Sequence, residues 1–169
     1  RYRVEALADE ATWAADLARL REETAKARAS KESAGADDIG HTQVQGWLRD
    51  LGLALGFNVW VASNDKGRPH AGGWLGDGCL ADLPEALALG PGADAIRLID
   101  VLWLDRGTAR VEAAFEVEHS TSIHSGIVRM LDLAMTQAEG LRGLFLVAPD
   151  AREEDVRKQV SRPAFRSIA

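Results

Sequence analysis

Apolar and polar positions between residues 41 and 62 predict a helix followed by a strand. The apolar residues of 41–55 recur at the spacing of a single helical stripe. They are Val44, Trp47, Leu48, Leu51 and Leu55. Gly56 is a natural C-terminal stop for this helix, and 57–62 then alternates as a strand does. We therefore predict the first core helix over 41–55 and the first core strand over 57–62.

Two further apolar runs, 96–104 and 109–118, predict a β-hairpin. The link between them contains Gly107, and a short glycine-containing link between apolar runs is a hairpin signal. In the second strand, Val111, Ala113, Phe115 and Val117 are predicted to share one face.

The C-terminal third predicts a β-α-β unit completed by the hairpin's second strand. Helical spacing continues over 122–139, 143–148 predicts a short buried strand, and a last helix is predicted over 151–160. The core order is α-β-β-β-α-β, which predicts an antiparallel meander followed by a parallel strand. We predict an α/β (α+β) fold, a mixed sheet with helices on both faces.

Two segments stand outside this core order. Residues 1–36 contain a stretch rich in Ala, Glu, Arg and Leu, which predicts an N-terminal helical extension. Residues 37–169 form the main domain, with a long irregular insertion at about 63–95 that is rich in Gly and Pro and has a short helix near 84–89. Long loops in compact domains are often functional. In this insertion, Asn64, Asp65, Lys66 and Arg68 are candidate substrate contacts, and Trp74 is a candidate for stacking on a base.

Composition bounds the class of protein. The chain has 169 residues and a net charge of −6, which argues against a dedicated DNA-reading domain with a basic face. The tail is locally basic, however, and phosphate attraction could come from another domain. We predict no membrane span, and the lone Cys79 fits a reducing cytoplasm. No initiator Met opens the sequence, so we expect a fragment of a longer polypeptide.

Three carboxylates in apolar strands are the main candidates for chemistry. Glu116 and Glu118 are two residues apart, so they emerge on the same side of a strand, and Asp100 lies in the other hairpin run. Acids in such strands are costly unless they are paired, hydrogen-bonded or bound to a cation. Converging carboxylates predict a site for Mg²⁺, or Mn²⁺, rather than zinc. The alternative is a set of structural acids paired with arginines such as Arg97 or Arg129.

In its element order and its acids, the chain resembles the PD-(D/E)XK nuclease superfamily, which has the restriction-endonuclease-like fold. Ile99-Asp100 corresponds to the proline-aspartate element and Glu116-Val117-Glu118 to the (D/E)-x-K element. The resemblance covers roughly residues 41–150. It implies that Asp100, Glu116 and Glu118 are the catalytic and metal-binding residues. Glu118 replaces the family's lysine, as in a minority of restriction enzymes.

The resemblance also implies supporting residues around the acids. Many relatives carry a glutamate in the first core helix, where this chain offers Gln43, Gln45 and His41. Three hydroxyl residues at the entry to the 122–139 helix are candidates for binding a substrate phosphate, and Arg129 would reach the same anion. They are Ser120, Thr121 and Ser122, for which a simple helix-capping role remains open.

The function implied by the resemblance is Mg²⁺-dependent hydrolysis of DNA phosphodiester bonds, as in prokaryotic restriction or defence. DNA is the expected partner, with a sequence-reading domain or subunit elsewhere, and a homodimer is an open alternative for the assembly. A nuclease for RNA or branched DNA is a close rival. A catalytically silent relative, used for DNA binding or protein contact, is the alternative from another class. A purely structural interaction domain is the third.

Overall fold

A computed structural model of the chain describes residues 35–90, 92–118, 123–137 and 141–162. The predicted extension over 1–36 lies outside these ranges except for its last two positions, and so do Ser120, Thr121 and Ser122. The described elements follow in chain order: α1 Gly35–Ala54, β1 Asn58–Val61, β2 Pro69–His70, β3 Gly73–Trp74, α2 Glu85–Ala88, α3 Ala93–Ile96, β4 Val101–Leu104, β5 Val111–Val117, α4 Ile123–Thr136, β6 Gly143–Val147, a 3-10 turn Asp150–Arg152 and α5 Glu153–Val160.

The main sheet has four strands in the order β1-β4-β5-β6. The β1/β4 and β4/β5 pairs are antiparallel, and the β5/β6 pair is parallel. Helix α4 lies between β5 and β6 in the chain. The predicted mixed sheet is therefore confirmed. A separate two-stranded ladder joins β2 and β3 inside the insertion.

Helices cover both faces of the sheet. Alternate strand residues point to opposite faces, so each face has its own hydrophobic cluster. On one face, Val59, Val101 and Phe115 pack together with Leu48 and Leu53 of α1. The other face holds a larger cluster to which the insertion and α4 contribute: Trp60, Leu83, Leu87, Ile96, Ile99, Leu102, Leu104, Val111, Ala114 and Leu133. Each fully buried Val, Leu or Ile side chain in this cluster stabilises the fold by roughly 1.5–3 kcal/mol.

The buried side of α1 differs from the predicted stripe. Trp47, Leu51 and Leu55 are 59%, 50% and 60% exposed. The helix instead packs closely at two glycines: a Cβ atom at Gly52 would collide with the Trp103 ring of β4, and one at Gly46 would collide with the His70 ring of the β2/β3 ladder. Small residues let the backbone come close, so the buried face is formed by these glycines together with Leu48 and Leu53, and Leu48 is the member of the predicted stripe that packs against the sheet.

The predicted strand over 96–104 is wrong in its first half. Ala93–Ile96 is a helical turn, and β4 begins only at Val101, so Asp100 lies just before the strand and not inside it. Short apolar runs do not distinguish a strand from a buried helical turn. Ile96 and Ile99 are buried in the core all the same.

Two details of the later strands also depart from the predictions. The β4/β5 register shifts between Trp103 and Leu104, which leaves an extra residue on β5 and places Val111 in the cluster that contains Ala114. Strand β6 lies at an edge of the sheet and is not fully buried, since Phe145 is 47% exposed.

The insertion is folded onto the core and contains the predicted short helix as α2. Lys66, a candidate substrate contact, donates hydrogen bonds to the carbonyls of Leu80 and Ala81 at 2.8 and 2.6 Å and lies 3.7 Å above the Trp60 ring. Its ammonium therefore has structural partners. Trp74 is 55% exposed, and its predicted stacking role stays a prediction. Within the described residues, none of the helices has both the length and the apolar character needed to cross a membrane.

Candidate metal and catalytic site

The ends of β4 and β5 bring the predicted acids to one end of the sheet. Val101 pairs with Phe115 in antiparallel register, so Asp100 lies beside the end of β5. The backbone N–H of Val117 donates a 2.7 Å hydrogen bond to Asp100 Oδ2. This bond fixes one oxygen of the Asp100 carboxylate and leaves Oδ1 pointing towards α1.

Glu116 is completely buried and forms a two-pronged pair with Arg129 of α4. Arg129 Nε donates to Glu116 Oε1 at 2.7 Å, and a second guanidinium nitrogen donates to Oε2. Burial raises the pKa of Glu116 to about 8, with the Asp100 and Glu118 carboxylates adding to this effect and Arg129 opposing it. For Arg129, burial alone would lower the pKa, but Glu116, Asp100 and Glu118 together raise it. The charges of the three predicted acids thus all act on a single arginine, Arg129.

Glu118 lies just past β5 and is 2% exposed. Its backbone N–H donates to the Val147 carbonyl at 2.8 Å. The helix α4 approaches both glutamates at Gly126, where a Cβ atom would lie 2.8 Å from Glu118 Oε1 and 3.1 Å from Glu116 Cβ. The missing side chain at Gly126 therefore makes the space that the two glutamates occupy.

On its other side, Asp100 faces two of the predicted residues of the first core helix. His41 Nε2 lies 3.4 Å from Asp100 Oδ1, and Gln45 Nε2 donates to the same oxygen at 3.1 Å. Burial alone would raise the pKa of Asp100, but the His41 hydrogen bond and charge, with Arg129 and the Val117 N–H, hold it below its usual value. Gln43, the third residue predicted from α1, is exposed.

Asp65 is the residue whose position in the site the sequence did not predict. It was a candidate substrate contact in the loop after β1, yet it is only 3% exposed. Gln45 Nε2 donates to its Oδ2 at 2.9 Å, and Arg68 Nε donates to its Oδ1 at 2.7 Å. The available signal was the pairing of β1 with β4, which places the loop after Val61 beside the residue that precedes Val101.

The donor atoms fit a divalent cation best around Asp100. His41, Asp65 and Asp100 each offer one ligand atom, and these atoms lie within 4.8 Å of one another. Among the described residues, this is the group of histidines, cysteines and acids that meets that spacing; Asp100, Glu116 and Glu118 do not meet it as a trio. The predicted trio has the all-oxygen chemistry that Mg²⁺ prefers, but Arg129 contacts both oxygens of Glu116. A carboxylate oxygen has two lone pairs, so these contacts leave Glu116 some capacity to bind a cation.

Comparison with known proteins shows to which family the chain belongs. The family model described as the type II restriction enzyme NmeDI C-terminal domain matches residues 22–169 of the chain. The chain belongs to this family. A curated relative, the type II restriction enzyme NmeDI of Neisseria meningitidis serogroup C, is 32% identical over 139 residues.

The match to this relative covers 76% of the chain and 38% of the relative. The match thus spans well under half the length of this restriction enzyme. No solved structure matches the chain. Membership of the NmeDI C-terminal domain family relates the chain to a restriction enzyme, and the geometry above shows which of its residues are gathered at one end of the sheet.

Proposed function

We propose that this member of the NmeDI C-terminal domain family is the DNA-cleaving domain of a restriction enzyme, with a PD-(D/E)XK-type site. The observation that carries the proposal is the gathering of Asp100, Glu116 and Glu118 around Arg129 at the junction of β4 and β5. Three nearly inaccessible acids at one sheet end are costly, and perturbed acids of this kind are concentrated at functional sites.

The proposed chemistry assigns a task to each residue. Asp100 and Glu116 would hold Mg²⁺, or Mn²⁺, which when bound would polarise the scissile phosphate and lower the pKa of water. Glu118 stands where the superfamily has lysine, and it accepts the proton of the attacking water. Arg129 sets the orientation of Glu116 and places a positive charge where the substrate phosphate approaches. Ser120, Thr121 and Ser122 are proposed phosphate contacts.

The proposal extends to partners and organisation. DNA is the substrate, and a separate part of a longer protein reads the sequence, since the relative is much longer than the chain. We propose a helical extension over 1–36 attached to the nuclease domain over 37–169, in a cytoplasmic protein. Two copies of the domain acting together would account for cutting both strands.

The test is cleavage of supercoiled plasmid and single-stranded DNA by the 169-residue chain with Mg²⁺, Mn²⁺, Ca²⁺ or EDTA. We expect cutting with Mg²⁺ or Mn²⁺ and none with EDTA. Glu116→Ala should lower the rate by at least about 10²–10³-fold, as loss of a charge-stabilising group does. Glu112→Ala is the matched control, because Glu112 lies on the same strand but pairs with the exposed Arg142, 2.7 Å away. Equal cutting by the two variants would refute the proposal.

A second function is favoured by one specific contact. The paired hydrogen bonds from Arg129 to Glu116 are what a structural acid would make, and Glu118 replaces the lysine of the resemblance. A silent module of this fold would bind DNA or a protein without hydrolysing DNA. It predicts no cutting by any form of the chain and DNA binding that Glu116→Ala leaves unchanged in a gel-shift assay.

A further inference from the structure

We propose that the N-terminal extension folds back along α1 as an antiparallel helix and covers an apolar stripe on that helix. The stripe consists of Trp47, Leu51 and Leu55, and we call it the outer stripe of α1. All three side chains are at least half exposed, whereas Leu48 and Leu53 of the same segment pack against the sheet. The contact does not depend on whether the chain cleaves DNA.

The outer stripe is a continuous apolar surface and not a set of scattered exposed residues. Side chains four positions apart on a helix are neighbours, with Cβ atoms about 6 Å apart. Trp47, Leu51 and Leu55 follow this spacing, so their exposed parts adjoin one another along the C-terminal half of α1 and the residue after it. Single exposed apolar residues need no explanation, but a contiguous patch marks a surface that another element covers.

The extension carries an apolar stripe of its own. Trp13, Leu17 and Leu20 have the i, i+4, i+7 spacing that places side chains on one face of a helix. They are the large apolar residues between positions 8 and 34. Most of the stability of a helix in a protein comes from packing its apolar face, so a helix in this segment needs a surface that buries these three side chains.

The two stripes are in register for a helical hairpin. A turn near Ala34, just before α1 begins at Gly35, would place the extension antiparallel to α1. Both helices rise by about 1.5 Å per residue, so residues equally far from the turn lie side by side. The facing pairs are then Leu17 with Leu51, Trp13 with Leu55, and Leu20 with Trp47. The members of the first two pairs stand 17 and 21 positions on either side of Ala34, and those of the third stand 14 and 13 positions away.

The facing side chains also fit in size, and the extension is tethered to the surface that it would cover. At each end of the matched region a tryptophan faces a leucine, so large and smaller side chains alternate as close packing requires. A second copy of the chain would offer similar side chains. The extension, however, is joined to α1 by a short connection, which gives it an effective concentration in about the millimolar range. It therefore occupies the stripe before a separate molecule does.

The first experiment is amide hydrogen exchange of the 169-residue chain, read by mass spectrometry. We expect the amides of 13–31 to exchange at least about 100-fold more slowly than in an unstructured peptide, because docking protects helical hydrogen bonds. The double variant Trp47→Gln with Leu51→Gln should reduce this protection at least about tenfold. The matched control is Leu89→Gln with Met135→Gln, since these side chains are 75% and 69% exposed elsewhere in the fold.

The second experiment tests the register by disulfide formation in a Cys79→Ser background. Serine can keep the contact that the Cys79 thiol makes with the Leu75 carbonyl. Leu17→Cys with Leu51→Cys should form a disulfide within one chain at least about tenfold faster than Arg19→Cys with Leu51→Cys in a glutathione buffer. The second pair is the control, because Arg19 would lie on the opposite side of the extension helix from Leu17.

Protected amides that lose protection in the stripe variant, together with the faster disulfide of the first pair, would support the contact. Exchange of 13–31 at the rate of an unstructured peptide in the wild-type chain overturns it, whatever the variants do. Protection that the stripe variant leaves unchanged also overturns it, since the helix would then form without docking on α1. Equal disulfide rates overturn the register, and a disulfide between two chains would show that a second copy occupies the stripe instead.

Discussion

Arg129→Met is expected to destabilise the metal-free protein by about 3–5 kcal/mol, the cost of leaving one partner of a buried ion pair alone. Glu116 is completely buried, and Arg129 donates to both of its carboxylate oxygens. Methionine has a similar length but no charge, so the variant isolates the loss of the guanidinium. The measurement is urea-induced unfolding at about pH 9 with EDTA present, because the pKa of Glu116 is raised to about 8 and the ion pair is fully formed only above that pH.

The chain contains a control of matched chemistry on the same strand. Glu112 pairs with Arg142 at 2.7 Å, but the Arg142 side chain is 81% exposed. Arg142→Met should therefore cost less than about 1 kcal/mol. The double variant Arg129→Met with Glu116→Gln should recover much of the lost stability, because neither member of the pair is then charged. Similar small losses for both arginine variants would contradict the structural role of the Glu116–Arg129 pair.

Gly126→Ala is expected to abolish most of the DNA cleavage that we propose for this chain, with little loss of stability. A Cβ atom at this position would lie 2.8 Å from Glu118 Oε1 and 3.1 Å from Glu116 Cβ, so the glutamates or the helix must move. Misplacing reacting groups by about 1 Å can cost about 10²-fold in rate. Overpacking costs about 1–3 kcal/mol, and replacing a helical glycine with alanine returns about 1 kcal/mol.

The signature to look for is a plasmid-cleavage rate that falls by about 10²-fold while the unfolding free energy falls by at most about 2 kcal/mol. Gly67→Ala is the control, since a Cβ atom at Gly67 would meet nothing within 4 Å. A Gly126→Ala variant that cleaves at the wild-type rate would show that the position of α4 against the glutamates is not critical. A variant that does not fold would show that the packing is tighter than these distances indicate.

Periodicity in the sequence determined most of the fold. The helix near 41–55, the hairpin, the helix near 122–139 and the following strand all appear in the structure as α1, β4 and β5, α4 and β6. These elements were predictable because each must bury one face, and that requirement is written into the spacing of apolar residues. The mixed sheet followed from their order.

The errors in the fold arose where burial does not depend on side-chain size or on a regular period. On α1, Gly52 faces the Trp103 ring of the main sheet and Gly46 faces the His70 ring of the insertion, because the two rings occupy the space that a glycine leaves. The run 96–104 contains the end of a helical turn as well as a strand. Apolar residues are buried in both elements, Ile96 in the turn and Leu102 in the strand. Apolar patterns alone do not carry this information.

For the site, the sequence by itself singled out Asp100, Glu116 and Glu118, because these acids stand out against apolar neighbours. Only the tertiary structure decided their partners. The β1/β4 pairing brings Asp65 beside Asp100, and α4 places Arg129 on Glu116. These contacts join residues that are far apart in the chain. The directions of their side chains depend on the path of the loops and the position of the helices, and the local sequence pattern encodes neither the path nor the position.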